Sequence, residues 1–422
     1  MADSDGGEML PILPGSREDC VALDAGDPLS RWRDRFDVSP DLVYLDGNSL
    51  GALPRGLSER VREVIEAEWG RNLIRSWNTA GWMEAPRRVG DKLARLVGAA
   101  PGEVLAGDST SVNLFKMLAL GLALRPGRRV VVTQRDNFPT DVYIAEGLCE
   151  LAGATLRTVE PGDLVGALDT DVAVLSLTHV HYTTGEVHDL EGLTRAAHGA
   201  GALALWDLSH TAGVMPVSLG AAGADLAVGC GYKHLCGGPG APAWQFVAAR
   251  HHDRARQPLE GWLGHADPFG FEPRYRPAPG IGQAMVGTPP IVSLAALEFA
   301  VDLWLEVGDL AAVHARTTAL GDRFIRLVEA MGEGSGLIVA SPRRGPRGAH
   351  VSLRHPQGHA VMQALIARDV IGDFRAPDLM RFGFHGLTTR HVDIWDAAAA
   401  LRDVLATEAW RAPRFGLRAT VT

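Results

Sequence analysis

Ala202-Leu-Ala-Leu-Trp-Asp207, followed by Asp225-Leu-Ala-Val-Gly-Cys-Gly-Tyr-Lys-His-Leu-Cys-Gly-Gly-Pro-Gly240, is the part of the chain from which the fold can be read. Each run opens on a continuous apolar stretch, short for a helix, and closes on polar or glycine-rich sequence. Strands that are apolar at consecutive positions are buried on both faces, as in a parallel sheet covered by helices. The same pattern extends outward. Val130–Thr133, Asp171–Thr178 and Ala243–Ala248 read as strands, and Thr140–Leu151 and Leu190–His198 as helices. The expectation is an α/β fold with a mostly parallel central sheet, whose ligands bind at the carboxyl ends of the strands.

Beyond Leu303 the pattern changes. A long helix, Leu310–Met331, precedes strands near Leu337–Ala340 and His350–Leu353, a helix at Ala360–Ala367, strands near Val370–Asp373 and Leu379–Gly383, and a last helix at His391–Ala406. This predicts a smaller α+β domain. The expected organisation is an N-terminal segment, 1–53, packing on the small domain, a large domain at 54–303 and the small domain at 304–422. A length of 422 residues agrees with two or three domains at roughly 150 residues each.

Composition excludes several classes. A net charge of −9 argues against a nucleic-acid or anionic-membrane surface. The longest apolar run, Val112 to Leu124, is interrupted by Lys116 and falls short of the roughly 18 residues a membrane helix needs. Met1–Gly15 lacks the basic start and apolar stretch of a secretory signal and reads as a disordered lead-in. Cys20, Cys149, Cys230 and Cys236 show neither a disulfide framework nor a CxxC spacing, which fits a reducing cytoplasm.

The chain holds three lysines, Lys92, Lys116 and Lys233, against many arginines. Arginine replaces lysine on a surface at little cost, but not where chemistry needs a primary amine. Lys92 lies on an amphipathic helix and is expected on a solvated face. Lys116, in Asn113-Leu-Phe-Lys-Met-Leu118, is expected to snorkel from a mostly buried helix. Lys233 follows a core strand and precedes a turn rich in Gly and Pro, which puts its amine beside the expected crevice. Asp207 ends the preceding strand. A carboxylate there is costly unless a cation compensates it; a protonated pyridine nitrogen is such a cation, and it makes the ring of pyridoxal phosphate (PLP) an electron sink. Taken alone, Asp207 also reads as a helix N-cap. Gly107-Asp-Ser-Thr-Ser-Val-Asn-Leu-Phe115 leads small hydroxyl residues into a helix start, where N–H groups suit a phosphate or form an ordinary cap. Phe138 offers a ring for a cofactor or for the core.

Taken together, the motifs resemble those of the kynureninases. Leu45-Asp-Gly-Asn-Ser-Leu-Gly51, Thr110-Ser-Val-Asn-Leu-Phe115, Phe138-Pro-Thr-Asp141, Leu177-Thr-His-Val180, Trp206-Asp-Leu-Ser-His-Thr-Ala-Gly213 and Tyr232-Lys233 occur in that family's order. So do Gly261-Trp262, Gly287-Thr288 and Leu379-Met-Arg-Phe-Gly-Phe384, and the set spans most of the chain. The resemblance implies a fold-type-I PLP enzyme of the class-V aminotransferase group. It implies a cytoplasmic homodimer with shared active sites, acting on kynurenine or a ring-substituted analogue such as 3-hydroxykynurenine. The products would be anthranilate, or its substituted form, and alanine.

By position, the resemblance gives Lys233 the Schiff base and the Cα proton, Asp207 the pyridinium nitrogen, and Phe138 the ring face. Thr110, Ser111 and Tyr232 would contact the phosphate, with Trp262 and Thr288 completing that site from the other subunit. His210 and Asp141 would sit beside the cofactor, and Tyr232 and His210 are alternatives for proton transfer near the γ-carbonyl. Arg381 would grip the substrate α-carboxylate, while Ser49, Trp77 and Gly287 would border the pocket. Members that favour the 3-hydroxy substrate place His and Asn around the ring, where this chain has Trp77 and Gly287-Thr288. His181, where Asn is more familiar, and Cys236 depart from the family pattern.

Three other functions compete. A cysteine desulfurase or class-V aminotransferase shares the cofactor, but a desulfurase needs a late, mobile nucleophilic thiolate, and no cysteine follows Cys236. His179, His181, Asp207 and His210 suggest a metal site for a hydrolase, which leaves the cofactor motifs unexplained. An inactive scaffold of the same fold would not need Lys233, Asp207 and Arg381 together.

Overall fold

The computed structural model describes Leu13 and residues 15–417; the lead-in expected before Ser16 lies almost wholly outside the described residues. They form two compact units. The larger comprises Gly56–Tyr182 and Val187–Leu310; the smaller takes the described chain up to Arg55, the Thr183–Glu186 segment and the described chain from Ala311.

The larger unit is built on a seven-stranded sheet. Its strands are β1 (Val104–Ala106), β2 (Val130–Gln134), β3 (Thr155–Val159), β4 (Val172–Thr178), β5 (Leu203–Asp207), β6 (Leu226–Gly229) and β7 (Trp244–Val247). Their spatial order is β1-β7-β6-β5-β4-β2-β3, and β7 alone runs against its neighbours. The sheet is therefore mostly parallel. Every residue of β4, β5, β6 and β7 is buried, which is why these strands are apolar at consecutive positions. The helices α1 (Ala85–Val97), α2 (Thr110–Leu124), α3 (Pro139–Ala152), α4 (Leu190–Gly199) and α5 (Ile291–Val307) belong to the same unit. Leu114, Met117 and Leu118 of α2 share a core with Val174 of β4, Leu205 of β5 and Val228 of β6. Trp206 of β5 donates to Thr194 Oγ1 of α4 at 3.0 Å, so the largest side chain of that strand also anchors its neighbouring helix.

Register brings three strand ends level. Thr178 pairs with Asp207, and Asp207 with Val228. The turns that follow β4, β5 and β6 thus leave the sheet at one edge. At the opposite end of β6, the buried Asp225 carboxylate accepts from Ala204 N–H at 2.8 Å and meets Arg250 and His198 at 2.7 Å and His251 at 2.8 Å. Burial works against the charge, but these partners hold the group below the usual carboxylate range.

The smaller unit carries a four-stranded antiparallel sheet of β8 (Ile338–Val339), β9 (His350–Arg354), β10 (Asp373–Arg375) and β11 (Leu379–Gly383), in the order β10-β11-β9-β8. Its helices are α6 (Leu310–Glu329), α7 (Gly358–Ile366) and α8 (His391–Ala406). Phe324 of α6 meets Phe382 of β11 at 4.8 Å between ring centroids, at the centre of a core that Leu13, Val43 and Leu45 join. Val43–Tyr44 pairs in parallel with Val370–Ile371. Among the described residues no helix is long and apolar enough to cross a membrane, and the four cysteines are buried and form no disulfide.

Candidate active site

At the carboxyl edge of the large sheet lies a cavity of about 200 Å³ lined by Thr110, Ser111, Phe138, Thr140, Asp141, Thr178, Tyr182, Asp207, Ser209, His210, Tyr232 and Lys233. All of these belong to the larger unit. Eight expected cofactor-site residues come together there from separated stretches of chain. Thr110 and Ser111 open α2 behind the cap residue Ser109, whose side chain accepts from Val112 N–H at 3.3 Å. Phe138 precedes α3, whose first residue is Pro139, and stands edge-on to Tyr182 at 5.3 Å. Asp207 closes β5, while Tyr232 and Lys233 follow the end of β6.

Lys233 Nζ lies 3.2 Å from His210 Nε2, 5.7 Å from the Phe138 ring centroid and 5.9 Å from that of Tyr232. The other two lysines are committed elsewhere. Lys92 pairs with Glu298 and Asp302, each at 2.8 Å, rather than standing free on a solvated face. Lys116 does not snorkel: its side chain is fully buried and its head pairs with Asp108 at 2.7 Å. Lys233 is the lysine that enters the cavity.

Two buried carboxyls, Asp141 and Asp207, line the cavity with this amine. Asp207 accepts from Ser209 N–H at 2.7 Å. Burial raises Asp141 well above the ordinary carboxylate range, and the charge of Asp207 raises it further. Burial raises Asp207 too, opposed by its hydrogen bonds with Ser209 and by the charge of Lys233. Burial, together with the charges near Cys230 and Asp207, pushes the Tyr232 phenol up, so its hydroxyl remains a donor. These features fit PLP. The chain offers an amine, two buried carboxyls where a cationic ring nitrogen would need a partner, an aromatic face, and hydroxyl and helix-start N–H donors for a phosphate.

Several lining residues were not assigned from the sequence. Thr178 donates to Asn137 Oδ1 at 2.8 Å, and Asn137 in turn donates to Thr133 Oγ1 at 3.1 Å, which locks the ends of β2 and β4. Asn137 directly precedes Phe138, so this network sets where that ring begins. The signal was present, in polar residues at the ends of two apolar strands, but their pairing needs the sheet order.

Other expected residues are not among those that line this cavity. Trp262 is 41% exposed and edge-on to Phe269 at 5.7 Å. Gly287 and Thr288 line a different recess with Asp108 and Gln245. Trp77 stands edge-on to Trp82 at 5.8 Å. In the smaller unit, Arg381 is 2% exposed and holds Asp373 in a two-pronged pair, with Nε 2.7 Å from Oδ1 and Nη2 on Oδ2. Ser49 Oγ donates to Asp373 Oδ2 at 3.1 Å and accepts from Arg381 Nη2 at 3.4 Å. Arg375 reaches the same carboxylate at 2.7 Å. Burial, and then the charge of Asp373, lifts the Asp46 carboxyl of this cluster to about 7. Neither Asp46 nor Asp373 was assigned from the sequence.

The metal-site alternative is corrected by geometry. Among the described residues no group of three or more His, Cys, Asp or Glu side chains is arranged to hold a metal ion. His179 Nδ1 lies 3.0 Å from Thr211 Oγ1, and burial lowers its pKa to about 4; His181 Nε2 instead faces Asp136 O at 2.9 Å.

Known proteins fall in line with this geometry. Residues 313–401 match the family model described as the kynureninase C-terminal domain. A kynureninase of Burkholderia pseudomallei is 51% identical over 96% of this chain and 100% of its own length. One of Pseudomonas fluorescens is 48% identical over the same shares. Among solved structures, C-DES with glycine covalently linked to its PLP cofactor superposes with a TM-score of 0.78 at 18% identity, covering 88% of this chain and 99% of that one. The apo cysteine desulfurase of Thermococcus onnurineus superposes at 0.75 and 17% identity, over 95% and 100%. At such identities the structures speak for the fold, which is PLP fold type I. The near-full-length relatives speak for more than the fold: the chain belongs to the kynureninase family.

Proposed function

We propose that this protein is a PLP-dependent hydrolase that cleaves the Cβ–Cγ bond of kynurenine, giving anthranilate and alanine. The observation that carries this reading is the Lys233 amine in one cavity with the Asp141 and Asp207 carboxyls, in a chain about half identical to kynureninases along nearly its whole length. When bound, the cofactor supplies an electron sink for the charge left at Cα by deprotonation and at Cβ by bond cleavage.

The protein's own groups supply the rest. Lys233 Nζ holds the cofactor and, once displaced by the substrate amine, takes the proton from Cα. Asp207 would pair with the ring nitrogen and keep it cationic. Phe138 would stack on the ring, and Thr110, Ser111 and the Tyr232 hydroxyl would hold the phosphate. His210, within hydrogen-bond reach of Lys233, and Tyr232 are the donors available where water adds to the γ-carbonyl. Arg381, with Ser49, receives the substrate α-carboxylate. Trp262 and Thr288 are not among the residues that line this chain's own cavity, which favours a homodimer in which they complete the neighbour's site. A cytoplasmic setting agrees with four cysteines that form no disulfide.

The ring pocket discriminates weakly. Trp77 presents an indole and Gly287-Thr288 a small step, so a substrate without a 3-hydroxyl leaves no dedicated buried reader unpaired. The test is turnover of kynurenine and 3-hydroxykynurenine under one condition. The expected products are anthranilate, or its hydroxylated form, and alanine, with kcat/KM for kynurenine at least as high. Absence of both products overturns the function. A preference for the hydroxylated compound above about a hundredfold, roughly 2.7 kcal/mol, overturns the pocket assignment.

A further inference from the structure

Lys116 is the lysine for which neither surface nor catalysis accounts. Its side chain is fully buried in a chain that otherwise favours arginine. From inside α2 it reaches back past the helix start, where Nζ donates to Asp108 Oδ2 at 2.7 Å and to Ala284 O at 2.9 Å. Asp108 sits in the left-handed region, at φ +55°, directly before the cap residue Ser109 and the expected phosphate contacts Thr110 and Ser111. Its carbonyl accepts from Ala243 N–H at 2.9 Å, and Gly107 N–H donates to Ala243 O at 2.8 Å. The loop is thus held on one side by the β7 approach and on the other by Lys116.

The second bond of Lys116 leads further. Ala284 opens the segment that ends at Gly287 and Thr288. That segment packs against Gly261 so closely that a Cβ there would lie 1.7 Å from Val286 O. One ammonium therefore ties this chain's phosphate loop to both segments, Gly261-Trp262 and Gly287-Thr288, that are expected to serve the neighbouring subunit.

We propose that Lys116 and Asp108 form a positioning pair for cofactor binding: the ammonium compensates the Asp108 carboxylate beside the helix start and fixes the loop that carries Thr110 and Ser111. The proposal rests on the PLP reading. Lysine suits the place because a compact ammonium serves two acceptors in a fully buried space, where a planar guanidinium would need a wider one.

The test is PLP titration of the apo-protein, followed by absorbance, together with the ³¹P resonance of the bound phosphate, in Lys116→Met, Asp108→Asn and the double variant. Lys116→Met is expected to raise the PLP dissociation constant roughly tenfold or more, the scale of one lost charge-assisted hydrogen bond, and to shift the ³¹P resonance. The double variant, which removes the carboxylate as well, is expected to recover part of that affinity. A folded Lys116→Met protein with wild-type affinity and an unmoved ³¹P resonance overturns the proposal while leaving the PLP reading intact. If Lys116→Met does not fold, Asp108→Asn carries the test, because Asp108 is partly exposed: a wild-type dissociation constant there overturns it equally. A wild-type protein that binds no PLP overturns both readings.

Discussion

Arg381 shows how much one residue can say, and where it stops. As a sequence feature it predicted a carboxylate-binding cation. Its partner Asp373 went unassigned because their separation means nothing until β10 and β11 form a hairpin, in which Asp373 stands directly opposite Arg381. That pairing occupies the Nε–Nη2 edge of the guanidinium. The proposed role of Arg381 then predicts that Arg381→Lys raises KM for kynurenine by about 10–100-fold, because lysine cannot reproduce two parallel hydrogen bonds to a carboxylate. Steady-state kinetics checks this, and an unchanged KM would move the role to another cation, with Arg375 beside the same carboxylate. Lys233 was legible for a different reason: in a chain with three lysines, a lysine at the end of a core strand has few explanations.

At the scale of elements, the central strands were read within one or two residues because consecutive apolar positions leave a buried parallel strand as the simplest account. The flanking strands β1 and β3 were missed: β1 spans only three residues, and no residue of β3 is fully buried. The turn after β6 needs glycine for space. A Cβ at Gly231 would lie 2.4 Å from Pro242 O and 2.9 Å from a Leu297 methyl, two residues before Lys233. Gly231→Ala is therefore expected to destabilise the larger unit by about 1–3 kcal/mol through overpacking and to weaken cofactor retention. Chemical denaturation of the holo-protein checks it, and a wild-type midpoint would show that the turn yields without cost.

For the whole molecule, the composition bounded the class and the ordered motifs pointed to the family. The homodimer came from the resemblance alone, since no single chain displays the surface of its neighbour. The larger unit leaves Trp69, Leu73, Ile74, Trp262, Phe269 and Phe271 exposed, an unusual set for a monomer. Sedimentation is expected to give one species at twice the 45.0 kDa chain mass, tightening with PLP; a monomer that holds PLP at micromolar concentration would contradict the shared site. The account as a whole turns on one amine. Borohydride reduction of the holo-protein followed by peptide mapping tests it most directly. The predicted result is a reduced cofactor adduct on the Lys233 peptide alone, lost with the cofactor absorbance in Lys233→Ala. An adduct on Lys92 or Lys116, or kynurenine turnover by a protein that forms none on Lys233, would contradict it.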